Sequence, residues 1–169
     1  MINSLKSSFL PVVDKNTRIL VLGSLPGEES LRQGQYYANP RNSFWKIIFR
    51  IFGQSIPDSY HEKLSFLKSK GIGLWDVILT AERDGSLDSK IRNEIPNEFS
   101  TLLKQYIDIR VLIFNGRKAE KAFKRLIVGK QDLPDRLLFK YFPSTSPANS
   151  KISFEAKASY WNELMDFLE

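Results

Sequence analysis

The sequence predicts an α/β protein, a three-layer α/β/α sandwich around a central, mainly parallel four-stranded sheet. Two observations predict this class. First, four short apolar runs have the length and composition of buried strands, at residues 18–22, 73–78, 110–114 and 137–142. Second, stretches with helical spacing lie between and after them, and strands that alternate with helices favour a parallel sheet covered on both faces.

Four amphipathic helices are predicted from apolar residues that recur at three- and four-residue intervals. They cover residues 44–52, 99–106, 119–127 and 154–168. The first and third show the fullest pattern, with apolar residues at i, i+3, i+4, i+7 and i+8. Each helix therefore has one face that can pack against the sheet.

The length and composition predict one domain, residues 1–169, with a core of its own. A chain of this size buries about 70% of the surface that it exposes when unfolded, so neither disulfides nor metals are needed to stabilise it. The chain contains no cysteine, which excludes disulfides, thiolate nucleophiles and cysteine-bound metal clusters. We expect no metal site.

Charge and hydropathy indicate the surroundings and the partner. No run approaches the ~20 apolar residues of a membrane span, and the amino-terminal MINSLKSSFLPVV lacks a cleavage pattern. We therefore expect a cytoplasmic protein that does not contact a membrane. Lys and Arg number 25 against 19 Asp and Glu, for a net charge of +6, which favours an acidic partner such as nucleic acid.

Small, polar or amide-bearing loops follow three of the predicted strands. They are residues 23–27 (GSLPG), Asn115-Gly116 and residues 143–149 (PSTSPAN). The carboxyl ends of parallel strands form the natural binding edge of such a sheet. Neither a GxGxxG nor a GK[ST] nucleotide signature is present, and the one histidine, His61, lies away from these ends. The predicted site therefore works with amides, hydroxyls and main chain.

Six segments, in order along the chain, carry a resemblance to a known family. They are GSLPGEESL, QYYANPRNSFW, GLWDVI with GSLDSKI, LIFNG and STSPANS. The chain resembles the uracil-DNA glycosylase superfamily, and within it the hypoxanthine-DNA (deoxyinosine) glycosylase family, from about residue 18 to the last helix. The resemblance implies the same sandwich fold, no cofactor, and double-stranded DNA with a deaminated base as the partner.

The resemblance also implies a reaction, hydrolysis of the N-glycosidic bond of deoxyinosine to release hypoxanthine and leave an abasic site. No lysine stands in a recognised motif as a Schiff-base nucleophile, so we expect no lyase step. Two alternatives remain open. One is a uracil or mismatch-specific thymine/uracil glycosylase, and the other is a non-catalytic nucleic-acid-binding module on the same fold. We expect a monomer.

The base-binding residues are predicted from the strand ends and the resemblance. Backbone N–H groups of Gly23, Ser24, Leu25, Pro26 and Gly27, proline excepted, form one wall of a pocket for a flipped base. Tyr37 matches the aromatic residue that stacks on the base in related glycosylases, or it is a core aromatic. Asn115 reads the base edge, since an amide both donates and accepts, or it belongs to a simple Asn-Gly turn.

The water-positioning residue is predicted to lie outside the first loop. Other branches of the superfamily place Asn, Asp or Glu in that loop, whereas this chain has Ser24 and Leu25. The role then falls to an amide of YANPRN, Asn39 or Asn42, and the resemblance favours Asn39 as the catalytic residue. The alternative for Asn39 is a helix N-cap, with Pro40 at the first helical position.

The DNA-binding residues are predicted mainly in STSPANS, which resembles the motif that enters the minor groove in this superfamily. Ser144 and Ser146 can bind phosphate, and Pro147 with Ala148 forms an apolar wedge, unless the segment is an ordinary surface loop. Asn149, Arg41 and Asn42 complete the predicted DNA-binding set. The basic helix that begins near residue 117 fits a solvated face, although its first residues lie near the strand edge.

Overall fold

The structure, a computed structural model, describes residues 5–87 and 90–169. Residues 1–4 of the predicted domain and residues 88 and 89 of GSLDSKI lie outside the described residues. In chain order the strands are β1 (Leu5–Ser7), β2 (Ile19–Gly23), β3 (Ile72–Asp76), β4 (Ile78–Glu82), β5 (Arg92–Pro96), β6 (Val111–Asn115) and β7 (Leu138–Phe142). The helices are α1 (Glu28–Gln33), α2 (Phe44–Ile51), α3 (Tyr60–Ser69), α4 (Phe99–Gln105), α5 (Arg117–Leu126) and α6 (Phe154–Trp161), followed by a 3-10 helix over Asn162–Phe167.

The central sheet has four strands in the order β3-β2-β6-β7, and every neighbouring pair is parallel. The prediction of a parallel four-stranded sheet is confirmed. Gly23 at the end of β2 lies opposite Asp76 at the end of β3, and Asn115 at the end of β6 lies opposite Phe142. The carboxyl ends of all four strands therefore meet at one edge of the sheet.

Two apolar cores cover the two faces of this sheet, as a three-layer sandwich requires. Successive side chains of a strand point to opposite faces, so β2 contributes Ile19 and Val21 to one core and Leu20 and Leu22 to the other. The first core includes buried residues of α2, α3 and α6, and the second includes those of α4 and α5. The helices thus hold the sheet from both sides.

Residues 73–78 do not form the single strand that their apolar run predicts. Strand β3 ends at Asp76, and β4 begins at Ile78 in a separate antiparallel sheet of order β1-β4-β5. At the change of sheet, the N–H groups of Val77 and Ile78 donate to Gly23 O and Ser24 O, at 2.9 and 3.1 Å. These bonds also fix the loop that follows β2.

The predicted final helix is also divided, since α6 ends at Trp161 and the chain continues as a 3-10 helix. Helices α1 and α3 were not predicted from the sequence. In α1 only Ser30 is fully buried, and in α3 only Leu67 is, while Tyr60 and Leu64 pack partly buried against the first core. Among residues 5–87 and 90–169, no helix combines the length and the hydropathy that crossing a membrane requires.

Candidate active site

A cavity of about 410 Å³ opens at the carboxyl edge of the parallel sheet, within the size range of about 300–1,000 Å³ of small-molecule sites. Two loops form much of its wall, the glycine loop (residues 23–27, after β2) and the serine loop (residues 143–149, after β7). The predicted site residues that line it are Gly23, Ser24, Leu25, Pro26, Gly27, Tyr37, Asn39, Arg41, Asn42, Asn115, Ser144, Ser146, Pro147 and Ala148. Asn149 is absent from the lining, and its amide donates instead to Ser144 O at 3.1 Å.

Gly23 and Asp76 approach each other closely at the ends of β2 and β3. A Cβ atom on Gly23 would lie 2.6 Å from Asp76 Oδ1 and 3.8 Å from Tyr37 Oη. Asp76 is 5% exposed and lines the cavity. Residue 23 must therefore lack a side chain to admit this carboxylate. The sequence analysis missed Asp76, although its place at the end of an apolar run was a usable signal.

Two backbone N–H groups of the glycine loop lie in residues that line the cavity. Its Leu25 and Pro26 carbonyl oxygens accept hydrogen bonds from Arg83, which is 1% exposed. Within the described residues, the N–H groups of Leu25 and Gly27 donate to no acceptor. Because buried backbone donors are almost always paired, this wall is suited to a ligand that carries an acceptor.

Tyr37 is held in an uncommon conformation beside the cavity. Its φ of 55° lies in the left-handed region, which is costly for a residue with a Cβ. The ring stacks on Phe44 with centroids 4.0 Å apart, and Oη accepts a hydrogen bond from Asn115 Nδ2 at 3.2 Å. Burial, and secondarily the Asp76 carboxylate, raise the pKa of Tyr37 well above its usual value. The hydroxyl is therefore protonated at neutral pH.

Asn115 joins Tyr37 to the serine loop. Its Nδ2 donates to Thr145 Oγ1 at 3.0 Å as well as to Tyr37, and its Oδ1 accepts from Thr145 N at 2.9 Å. Both amide hydrogens are engaged, while the oxygen keeps a second lone pair. The next residue, Gly116, has φ 99°, and a Cβ there would lie 2.8 Å from Ser144 Cβ. Position 116 therefore requires a glycine, and Asn115 beside it is held by Tyr37 and Thr145.

The two amides of YANPRN make different contacts. Helix α2 begins at Phe44, so the N-cap interpretation of Asn39 is wrong. Asn39 Oδ1 accepts instead from Arg41 N at 2.9 Å, whereas Asn42 Oδ1 accepts from Phe44 N at 3.0 Å. Asn42 therefore satisfies the first N–H of the helix. The Nδ2 hydrogens of Asn39 have no acceptor among the described residues.

Side chains of α6, and Ser43 directly before α2, donate hydrogen bonds to carbonyl oxygens of the serine loop. Trp161 Nε1 donates to Pro143 O at 2.9 Å, and Lys157 Nζ reaches Ser146 O at 3.4 Å. Burial lowers the pKa of Lys157. Ser43 donates its N–H to Thr145 O at 3.0 Å and its hydroxyl to the same oxygen at 3.2 Å.

Hydrogen bonds within the serine loop use most of its remaining main chain. Ser144 Oγ accepts from Ser146 N and Ser146 Oγ from Ala148 N, each at 3.2 Å. Each hydroxyl keeps its own hydrogen for an outside acceptor. What the loop offers outward is therefore two hydroxyl donors and the apolar surface of Pro147 and Ala148.

The other candidates lie away from the cavity. His61 is exposed on α3 and does not line it. On α5, Arg117 and Lys124 pair with Glu120, and Arg125 pairs with Glu94, as expected of a solvated face. No group of three or more His, Asp or Glu side chains in residues 5–87 and 90–169 is placed to hold a metal ion.

The fold and the cavity define an α/β/α sandwich whose site is built from main chain, amides, a tyrosine and a buried carboxylate. The family model of the Uracil DNA glycosylase superfamily matches residues 10–165, and the chain belongs to that superfamily. The resemblance seen in the sequence is thereby confirmed.

Relatives and a solved structure agree with this assignment. A protein of Methanosarcina acetivorans named Hypoxanthine DNA glycosylase is 42% identical over 158 residues, which cover 93% of this chain and 96% of that protein. One of the same name from Methanosarcina barkeri is 44% identical over 159 residues, 94% and 96% of the two chains. A solution NMR structure of a Methanosarcina acetivorans protein, described as a candidate uracil DNA glycosylase, superposes on this chain with a TM-score of 0.81 at 41% sequence identity. The match covers 97% of this chain and 98% of that protein.

Proposed function

We propose that this protein is a monofunctional DNA glycosylase that hydrolyses the N-glycosidic bond of deoxyinosine in DNA, releasing hypoxanthine and leaving an abasic site. The names of the two Methanosarcina relatives support the substrate. The observation that carries the proposal is the cavity of about 410 Å³, lined by backbone donors, a tyrosine and a buried carboxylate. A base must leave the duplex before an enzyme can act on its glycosidic bond, and this cavity receives it.

The polar groups of the cavity match the edge of hypoxanthine, which carries a ring N–H donor beside a carbonyl acceptor. The base of deoxyinosine carries a single N–H, and Asp76 accepts it together with the remaining lone pair of the Asn115 oxygen. The backbone N–H groups of Leu25 and Gly27 donate to the base. Adenine, whose ring nitrogen at the same place is an acceptor, would meet the carboxylate unfavourably.

Tyr37 forms the stacking surface for the flipped base. One face of its ring rests on Phe44, and the residue lines the cavity. Stacking of a base on an aromatic ring contributes about 1–3 kcal/mol. The hydrogen bond from Asn115 and the left-handed backbone hold the ring in place before the base arrives, so little ordering is needed on binding.

Asn39 positions the attacking water. Glycosidic cleavage passes through an oxocarbenium-like state, and a water that adds after the bond has largely broken needs orientation more than deprotonation. A neutral amide is sufficient for that task. The engagement of Asn42 with the first N–H of α2 favours Asn39, whose Nδ2 hydrogens are available in the described structure.

The serine loop contacts the DNA on the rim of the cavity. The hydroxyls of Ser144 and Ser146 donate to phosphate, and Pro147 with Ala148 enters the duplex beside the flipped base. Arg41 is exposed on the rim and adds a phosphate contact. None of the described residues that line the cavity is a lysine, which supports hydrolysis without a lyase step.

The test is a panel of duplex oligonucleotides that each carry one inosine, uracil, xanthine or plain mismatch, treated with alkali to reveal abasic sites. We expect fastest cleavage at inosine and no strand break without alkali. Faster cleavage at uracil or at thymine mismatches would establish the uracil or thymine/uracil alternative, of which the solved relative's description names uracil. Binding of all duplexes with no abasic sites would establish a non-catalytic module.

A further inference from the structure

The carbonyl groups of the glycine loop are all engaged by the protein. Gly23 O accepts from the N–H of Val77, between β3 and β4, at 2.9 Å, and Ser24 O accepts from the N–H of Ile78, the first residue of β4, at 3.1 Å. Leu25 O and Pro26 O both accept from the guanidinium of Arg83. A single buried side chain therefore determines how the second half of this loop is turned.

The orientation of these carbonyls fixes the orientation of the next N–H groups. In a planar trans peptide, the C=O and the following N–H point in opposite directions, and the described residues contain no cis peptide. Ile78 N donates to Ser24 O, so the N–H of Leu25 in the same peptide points away from Ile78. Arg83 donates to Pro26 O, so the N–H of Gly27 in that peptide points away from Arg83. Both residues line the cavity, and neither N–H has an acceptor among the described residues.

Arg83 is well suited to hold this arrangement. It is 1% exposed, and its Nε donates to Gly85 O at 2.7 Å, which ties the loop after β4 to the glycine loop. A second bond closes the same junction, since Glu28 N donates to Ser86 Oγ at 2.8 Å. A buried guanidinium is costly unless its donors are satisfied, so the backbone carbonyls and Arg83 fix one another.

We propose that Arg83 is a positioning residue, which orients the N–H groups of Leu25 and Gly27 to bind a carbonyl oxygen of the flipped base. In hypoxanthine this oxygen is the 6-oxo group. The inference rests on the proposed function, because it concerns the base that enters the same cavity. Arg83 itself does not line the cavity and acts only through the loop.

The test measures recognition of the 6-oxo group separately from cleavage. Two duplexes carry the 2′-fluoro-arabino analogue of either inosine or 6-thioinosine, which keeps the ring N–H but presents sulfur, a weaker acceptor, in place of the 6-oxo oxygen. The fluorine slows cleavage by opposing positive charge on the sugar, so equilibrium affinity can be measured. We expect the wild-type protein to bind the inosine analogue about tenfold more tightly, the contribution of one or two hydrogen bonds.

Four variants separate positioning from general stability. Arg83→Met should bring the two affinities to within about twofold, whereas Arg83→Lys, which keeps a donor but not the fork, should fall between. Gly27→Pro deletes the N–H itself, and the φ of −70° at residue 27 accepts proline. Gly27→Ala adds a Cβ, 3.5 Å from the nearest atom, and keeps the N–H.

The proposal requires Gly27→Pro to lose the preference for the 6-oxo group and Gly27→Ala to keep it. A wild-type protein that binds both duplexes equally would overturn the proposal, as would Arg83→Met with the preference intact. Equal weakening toward both duplexes in folded Arg83→Met would reduce Arg83 to a structural residue and also overturn it. Wild-type excision of hypoxanthine from a normal inosine duplex tests the proposed function independently.

Discussion

The glycine loop and the serine loop form two walls of one cavity, yet they are built in opposite ways. The glycine loop turns its carbonyls onto other parts of the protein and leaves the N–H groups of Leu25 and Gly27 at the cavity wall. In the serine loop, most main-chain groups form hydrogen bonds within the loop or accept hydrogen bonds from Ser43, Trp161 and Lys157.

This difference separates two ways in which a loop can serve a binding site. The N–H donors of the glycine loop depend on the backbone conformation, which is sensitive to Gly23, the position that must lack a side chain. The serine loop, whose main chain is already hydrogen-bonded within the protein, contributes a fixed shape and a few hydroxyl groups. Variants of the glycine loop should therefore lower the rate first, and variants of the serine loop should lower the stability first.

The largest effect is expected outside both walls, at the residue that we propose positions the water. Asn39→Ala should lower the single-turnover excision rate by about 100-fold or more, with DNA affinity near wild type, because the interaction matters mainly in the transition state. Asn42→Ala is the control, and losing its bond to Phe44 N should cost about 0.5–2 kcal/mol of stability. The large rate loss at Asn42 alone would move the assignment there.

The next effect tests the glycine loop. In Gly23→Ala the new Cβ would meet Asp76 Oδ1 at 2.6 Å, so the carboxylate must leave its place in the cavity. Loss of one hydrogen bond to a charged group costs about 1.5–3 kcal/mol, which lowers the rate by on the order of 10- to 100-fold. Gly27→Ala, whose Cβ makes only ordinary contacts, should lose much less. Similar single-turnover rates in the two variants would contradict the role of Asp76.

The serine loop should respond differently. Thr145 is 1% exposed, and Thr145→Val removes the hydroxyl that accepts from Asn115 Nδ2 without changing the volume. An unpaired buried donor costs about 1–3 kcal/mol, so the thermal midpoint should fall while the rate of the folded protein changes little. Thr101→Val on the exposed side of α4 is the matched control. A rate loss with an unchanged midpoint would place Thr145 in the chemistry.

Smaller effects concern the DNA contacts on the rim. Arg41→Ala should make the log–log dependence of affinity on salt shallower by about 0.9, the contribution of one phosphate. Ser146→Ala should weaken binding without altering that slope, because a hydroxyl carries no charge. Lys121→Ala, exposed on α5, serves as the control. Titration of a fluorescent duplex at several salt concentrations gives the slopes. An equal change of slope in all three variants would contradict a specific phosphate contact of Arg41.

The smallest effect at neutral pH concerns Tyr37. Its folded pKa is raised, so its contribution to stability is complete below about pH 10, the ordinary tyrosine value, and is lost as the pH rises further. Tyr37→Phe should therefore flatten the fall in unfolding free energy above pH 10. Tyr160→Phe, on an exposed tyrosine of α6, should leave the fall unchanged. If the unfolding free energy fell equally above pH 10 in wild type and Tyr37→Phe, the raised pKa of Tyr37 would be contradicted.

The part of the cavity lining that the sequence located by itself lies at strand ends, because strand ends are easy to find in a sequence. Buried parallel strands appear as continuous apolar runs, and their carboxyl ends must meet at one edge. This is why Gly23, Asn115 and the serine loop were brought to one cavity as predicted. The second sheet was missed because its strands, such as RNEIP of β5, show no alternation of apolar and polar residues.

Arg83 and Asp76 could not be assigned from the sequence for a different reason. A charged residue is by default solvated, and only the packing of distant segments decides otherwise. Arg83 reaches carbonyls 57 and 58 residues away, and the exposure of Asp76 depends on a glycine in the neighbouring strand. Likewise, Asn39 and Asn42 could be separated only by the hydrogen bonds that each one makes.

The hydrogen bond between Ser43 and Thr145 has a consequence for the synthesis and folding of the chain. It joins residues 102 positions apart, and Asn115 joins Tyr37 across 78 positions. Chains that depend on such distant pairings fold slowly, since loop closure precedes the contacts that reward it. The hydrogen bond from Ser43 can therefore form only after the chain has been synthesised as far as Thr145, which supplies its acceptor.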